Sequence, residues 1–208
     1  MAKKDQLSLK KQPVQQRSVF MVDVIKQAAV RVLKDRGAAG FTTYMVAEVA
    51  GVSVGSLYQY FGSKETLIAE IKRDHFAQLR GLFRQAGEAL STGTIGEAVD
   101  KFVDASVEGH LIDPQLHRIL SSELGDFDLV EDDKSDDSIK NAIESVLLNY
   151  REQLRNDLHI PTAAHLSYHL VEKTVHDTLI YADDADNTER IISELKTMLR
   201  LYFTGSAD

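Results

Sequence analysis

The stretch from residue 42 to residue 64 gathers side chains suited to recognising another molecule: Thr42, Thr43, Ser53, Val54, Gly55, Ser56, Tyr58, Gln59, Tyr60 and Lys64. Ser56 and Gln59 offer hydrogen-bond donors and acceptors, and a Gln amide matches the paired groups on the major-groove edge of adenine. Gly55 carries no side chain, so a helix bearing it can approach another surface closely. Lys64 falls in the first turn of a helix, where a cation opposes the macrodipole at a cost of about 0.3–1 kcal/mol. A nearby phosphate would make that position favourable. A second set, His165, His169, Glu172 and His176, recurs at helical spacing on one face. His and Glu so spaced can share a metal or an anionic ligand; the same pattern also suits a polar face turned to solvent or to a partner subunit. No nucleophile motif, phosphate loop or closed ligand set accompanies it, so the chain is not expected to be an enzyme, and neither metal nor cofactor is expected.

The elements that position these residues read as helices. A first helix spans about Ser18 to Arg36, with Met21, Ile25, Ala28, Ala29, Val32 and Leu33 on one face and Gly37 as its stop. A Thr pair caps a second helix ending at Ala50, Gly51 and Val52 turn the chain, and Ser53 caps a third ending near Tyr60. Ser63 caps a long fourth helix. Two short helices joined by a Gly-containing turn are a helix-turn-helix. Ala47 allows close packing, while Val52, Leu57 and Phe61 form the buried side. Gly55, Ser56 and Gln59 then face outward between Tyr58 and Tyr60, with no acid among them, as a DNA groove requires. An ordinary helical hairpin with packed tyrosines would share much of this pattern. Val54 suits a thymine methyl or the buried side.

Further helices are expected at about 94–111, 114–124, 138–158, 162–182 and 187–203, making an all-α chain of about nine helices. The run 126–137 holds seven Asp/Glu in twelve residues; it lacks the alternation and the glycine of a calcium loop and reads as a solvated connection.

Charge is divided along the chain. Residues 1–80 hold 13 Lys/Arg against 7 Asp/Glu, whereas 81–208 hold 11 against 25, within a net charge of −8. A basic head on an acidic body points to a polyanion partner at one end. Cys is absent, which removes disulfides and thiolate metal sites. Residues 1–17 are polar and basic, without the apolar core of a secretory signal, and no apolar run is long enough to span a membrane. A cytoplasmic protein without membrane contact is expected.

The string from Thr42 through Gly51, Ser53, Gly55, Tyr58, Tyr60 and Phe61 to Lys64-Glu65 resembles the signature of the TetR family of transcriptional regulators, a likeness covering roughly residues 18–70. The resemblance implies three N-terminal DNA-binding helices and a fourth leading into a helical body. It divides the chain into an arm (1–17), a helix-turn-helix domain (18–63) and a ligand-binding and dimerisation domain (64–208). It also implies that the third helix enters the major groove, with Thr43, Tyr58, Tyr60 and Lys64 at phosphate-contacting positions that set register. Arg17, with Lys10 and Lys11, forms either a basic arm toward the flanking DNA or a solvated tail.

The resemblance further implies a ligand-responsive repressor acting as a homodimer on a palindromic operator. Its partners would be double-stranded DNA, a second copy of the chain and a small-molecule effector. Ile191, Leu195, Met198, Leu199 and Tyr202 form a stripe suited to a dimer interface, or in part to the subunit's own core. Ser106 and His110, polar groups on an otherwise apolar face, are candidates for orienting an effector, with Phe102, His117, Leu147, Tyr150 and Arg151 around them. Arg151 would favour a carboxylate or form a surface ion pair. Two other classes are a helix-turn-helix adaptor that binds protein and a His-rich metal-dependent hydrolase.

Overall fold

The computed structural model describes residues 9, 16–88, 93–123, 139–181 and 185–205. Lys10, Lys11 and the acidic run 126–137 lie outside the described residues. Those described form nine α-helices and no strand. They are α1 (Gln16–Gly40), α2 (Thr43–Ala50), α3 (Val54–Tyr60), α4 (Lys64–Glu88), α5 (Ile95–Leu111), α6 (Pro114–Arg118), α7 (Ile139–Asn149), α8 (Ile160–Ile180) and α9 (Ala185–Thr204). A π-helical turn, Ile119–Glu123, continues α6.

The chain divides into two compact units. The head reaches to Phe76 and takes in the stretch that begins at Gln115, so it extends past the boundary expected at residue 63. The apolar pattern gives the reason. Leu67, Ile68 and Ile71 of α4 and Leu116, Ile119 and Leu120 of the α6 segment are buried with Ile25, Leu33, Phe41, Val46, Leu57 and Phe61 in one core. Each large apolar side chain buried there contributes roughly 1.5–3 kcal/mol. Gln115 fastens α6 to α1, its Nε2 donating to the Lys34 carbonyl at 2.9 Å. Gly37 interrupts α1 with φ 65° and ψ −179°, a conformation that only glycine adopts without strain.

The body is built on α5, α7, α8 and α9. Thr94 and Glu97 form a reciprocal capping box at the start of α5. Lys196 of α9 pairs with Asp104 of α5 at 2.6 Å, and Arg200 pairs with Asp100 one turn away. Val99, Val103, Leu147, Val171, Val175, Leu195 and Leu199 share the body core.

The single helix expected over 138–158 is instead broken. α7 ends at Asn149, and a 3-10 turn, Arg151–Gln153, follows. The Arg155 backbone N–H donates to the Phe203 carbonyl at 2.8 Å and its Nε to the Tyr202 carbonyl at 2.9 Å. These bonds to the end of α9 hold the connection away from helical geometry.

Candidate nucleic-acid interface and ligand cavity

Local capping sets the geometry of the helix-turn-helix. Thr42 Oγ1 accepts from the Met45 N–H at 3.2 Å and fixes the start of α2. Gly51 ends α2 in the left-handed region (φ 67°), and the Val52 N–H donates to the Ala47 carbonyl at 3.0 Å. Ser53 Oγ then accepts from the Ser56 N–H at 3.0 Å to begin α3. Leu57 and Phe61 are fully buried, which fixes the rotation of α3 and leaves Gly55, Tyr58 and Gln59 exposed. Val54, Ser56 and Tyr60 are half-buried. Ser56 differs from the expected free reader because its hydroxyl lies 2.8 Å from Ser53 Oγ. Gln59 is the amide the fold presents outward.

Thr43 and Tyr58 bring the two short helices together, with their side-chain oxygens 3.0 Å apart. Tyr44, beside Thr43, is 68% exposed. Sequence reasoning missed it, although it stands off the buried positions Val46 and Ala47 of the same short helix. At the start of α4, Ser63 Oγ accepts from the Thr66 N–H at 3.1 Å. The Lys64 ammonium lies 5.6 Å from the centre of the Phe41 ring, an arrangement that offsets part of its unfavourable position at the helix N-terminus. Arg17 is exposed in the first turn of α1. The surface formed by α2 and α3 therefore offers hydroxyls, an amide and aromatic rims around a glycine, with no acid on α3.

The body holds a partly open cavity of about 50 Å³. Phe83, Ile95, Ala98, Val99, Phe102, Ile143, Leu147 and Phe203 are among its walls, and Ser167 is the polar residue lining it. Ser167 is 1% exposed, and its Oγ is buried without a hydrogen-bond partner. The other buried positions of α8 are Ile160, Ala163, Ala164, Val171, Val175 and Ile180, all apolar, and one further hydroxyl, Thr178, so Ser167 does not stand out in the sequence.

Of the residues expected around an effector, Phe102 and Leu147 line this cavity and the other five do not. Ser106 and His110 are buried toward α8 instead. His110 Nδ1 donates to the Ser106 carbonyl at 2.8 Å, and Nε2 lies 3.9 Å from the Glu172 carboxylate. Burial holds the His110 imidazole below its ordinary pKa, against the opposing pull of the Ser106 carbonyl and Glu172. His117 belongs to the head, where its Nδ1 lies 2.8 Å from His75 Nε2 in a buried pair. Tyr150 packs in the body core. The Arg151 guanidinium donates to the Arg155 and Asn156 carbonyls, at 3.2 and 2.8 Å, and is not among the residues lining the cavity.

The histidine face of α8 also divides. His165 and His169 are exposed with ring centres 4.4 Å apart, whereas Glu172 and His176 turn toward His110. Among the described residues no three His, Cys, Asp or Glu side chains are grouped to hold a metal ion.

The stripe on α9 requires a correction as well. Leu195 and Leu199 lie inside the subunit's own core, and Ile191 and Tyr202 are half-buried. Met198 is 54% exposed, and Leu201 on α9 and Leu166 and Leu170 on α8 are exposed apolar neighbours in sequence pattern. The close packing of α9 on α5 claims the inward half of the stripe. No helix among the described residues is long and apolar enough to cross a membrane.

Comparison with known proteins agrees with this architecture. Residues 25–71 match the family described as bacterial regulatory proteins, tetR family, and residues 94–202 match the tetracyclin repressor-like C-terminal domain. A curated relative, the HTH-type transcriptional repressor KstR2 of Mycolicibacterium smegmatis, is 38% identical over 63 residues. That match covers 30% of this chain and 31% of the relative, so it spans about a third of each. The crystal structure of a putative TetR-family regulator from Mesorhizobium loti superposes with a TM-score of 0.70 at 15% identity, over 90% of this chain and 97% of the other. The fatty acid degradation regulator FadR of Bacillus halodurans gives 0.67 at 20% identity, over 92% and 98%. With family matches over both the head and most of the body, the chain belongs to the tetR family of bacterial regulatory proteins, DNA-binding transcriptional regulators built on a helix-turn-helix.

Proposed function

We propose that the chain is a ligand-responsive repressor that acts in the cytoplasm as a homodimer on a palindromic operator. The observation that carries this reading is the exposed face of α3. Gly55, Tyr58 and Gln59 stand clear of the head core, on a helix without acidic residues whose rotation is fixed by Leu57 and Phe61. Gln59 reads a base edge, Gly55 permits close approach, and Thr43, Tyr58, Tyr60 and Lys64 meet backbone phosphates. A single short helix reads only one half-site, so two linked heads supply the affinity.

The exposed apolar residues Leu166, Leu170, Met198 and Leu201 support pairing with a second copy through α8 and α9. The mainly apolar cavity in the body supports control by a small effector. Effector and operator then weaken each other by the same factor. Selection of bound duplexes from a random library tests the reading. An inverted repeat of two short half-sites is expected, and recovery of no enriched sequence contradicts it.

A further inference from the structure

Resting on that reading, we propose that the body cavity takes a slender, uncharged aliphatic chain bearing one hydrogen-bonding oxygen, which meets Ser167 Oγ. Three features define this chemistry. The first is the wall. Among the described residues, those lining it are all aliphatic or aromatic apart from Ser167. An ionised group inside would find no counter-charge among the described lining residues, and a buried unpaired charge is strongly unfavourable.

The second feature is the hydroxyl. Ser167 is buried on α8 among apolar neighbours, and its Oγ has no hydrogen-bond partner. A buried polar group left unpaired forfeits its hydration without return. Water is a poor remedy, because a buried water holds its place with two to four polar partners and the described lining side chains provide one. A ligand that brings a single oxygen restores the missing bond and fills the apolar remainder.

The third feature is size. The cavity of about 50 Å³ has room for roughly four waters. That space suits a slender chain of several methylenes better than a rigid fused-ring system. Phe83 and Phe102, with ring centres 5.5 Å apart and tilted, form part of the apolar wall.

Calorimetric titration of the full chain with 1-octanol and with sodium octanoate at pH 8 tests the proposal. The alcohol should bind at least tenfold more tightly than the carboxylate. Ser167→Ala should weaken the alcohol about tenfold, the loss of one hydrogen bond, with a cooperative thermal transition retained. Ala98→Leu, which fills the same space, should block the alcohol in a chain that still melts cooperatively. Equal alcohol binding by Ser167→Ala and the parent overturns the proposal, as does octanoate binding as tightly as octanol. Operator binding, read on the same preparations, keeps the two readings apart. Alcohol bound through Ser167 without any effect on operator affinity supports the ligand chemistry and counts against ligand-responsive repression. Absence of alcohol binding in a chain that holds its operator overturns the ligand chemistry and leaves the DNA-binding reading standing.

Discussion

The Thr43 hydroxyl on α2 lies 3.0 Å from the phenolic oxygen of Tyr58 on α3. Both residues belong to the surface proposed to meet phosphates, and the bond would hold the tyrosine ring in place before DNA binds. Pre-ordering of this kind lowers the cost of binding. Thr43→Val and Tyr58→Phe should each weaken operator binding, and the double variant should lose less than the sum of the two. The bond is exposed, so the melting temperature should move little. A double-mutant cycle by fluorescence anisotropy measures the coupling, which should be about 0.5–1.5 kcal/mol. Full additivity would separate the two residues functionally.

Lys64→Ala should weaken binding to all DNA sequences alike. Each phosphate contact contributes about 0.9 to the slope of log affinity against log salt, so a dimer that loses two should shallow that slope by roughly 2. Loss of the contact with Phe41 should cost stability by about 0.5–1 kcal/mol at most. A salt series with wild type and variant separates the two effects.

The two halves of the α9 stripe should respond differently. Leu199 is 2% exposed within the subunit core, so Leu199→Lys should destabilise the fold by about 3–5 kcal/mol, the cost of an uncompensated buried charge. Met198→Glu combined with Leu170→Glu should leave the subunit folded, split the dimer and weaken operator binding. Sedimentation and thermal melts, run together, distinguish the outcomes. A dimer that survives the double charge substitution would move the interface elsewhere.

His110 gives a pH dependence of stability. Burial lowers its folded pKa below the unfolded one, so the unfolded chain takes up a proton first as pH falls. Stability is therefore whole above the ordinary imidazole range and declines as pH drops through it toward the folded value. The decline should be shallower in His110→Gln than in the parent, as read by denaturant titrations between pH 7.5 and 5. Parallel curves would remove His110 from the account.

The head was far more legible in the sequence than the body. Thr42, Ser53 and Ser63 announce their helix starts by type, and Gly37 and Gly51 announce the breaks, because capping is local chemistry. The body depends on contacts distant in the chain. Nothing near Tyr150 signals that Arg155 will bond to the end of α9 and break the helix. Leu195 and Leu199 match a dimer stripe and a core stripe equally until α5 is packed against them. His117 follows a body helix in sequence but belongs to the head, since the buried partners of the α6 segment, such as Ile25 and Ile68, come from α1 and α4. Ser167 was passed over because one hydroxyl on an apolar face is common, and only its missing partner makes it informative.

The central claim, that α3 enters the major groove of a palindromic operator, is tested most directly at Gly55. A Cβ built there meets only Ser53 Oγ, at 3.7 Å, an ordinary contact. The position therefore accepts a side chain, and replacing a helical glycine favours the helix by up to about 1 kcal/mol. The measurement is the ratio of affinities for the selected operator and for a random duplex of equal length, for wild type and Gly55→Leu. Wild type should prefer the operator by about 10³-fold or more. Gly55→Leu should bring that ratio close to one while melting no lower than wild type. A Gly55→Leu chain that keeps the full preference would contradict the placement of α3 in the groove.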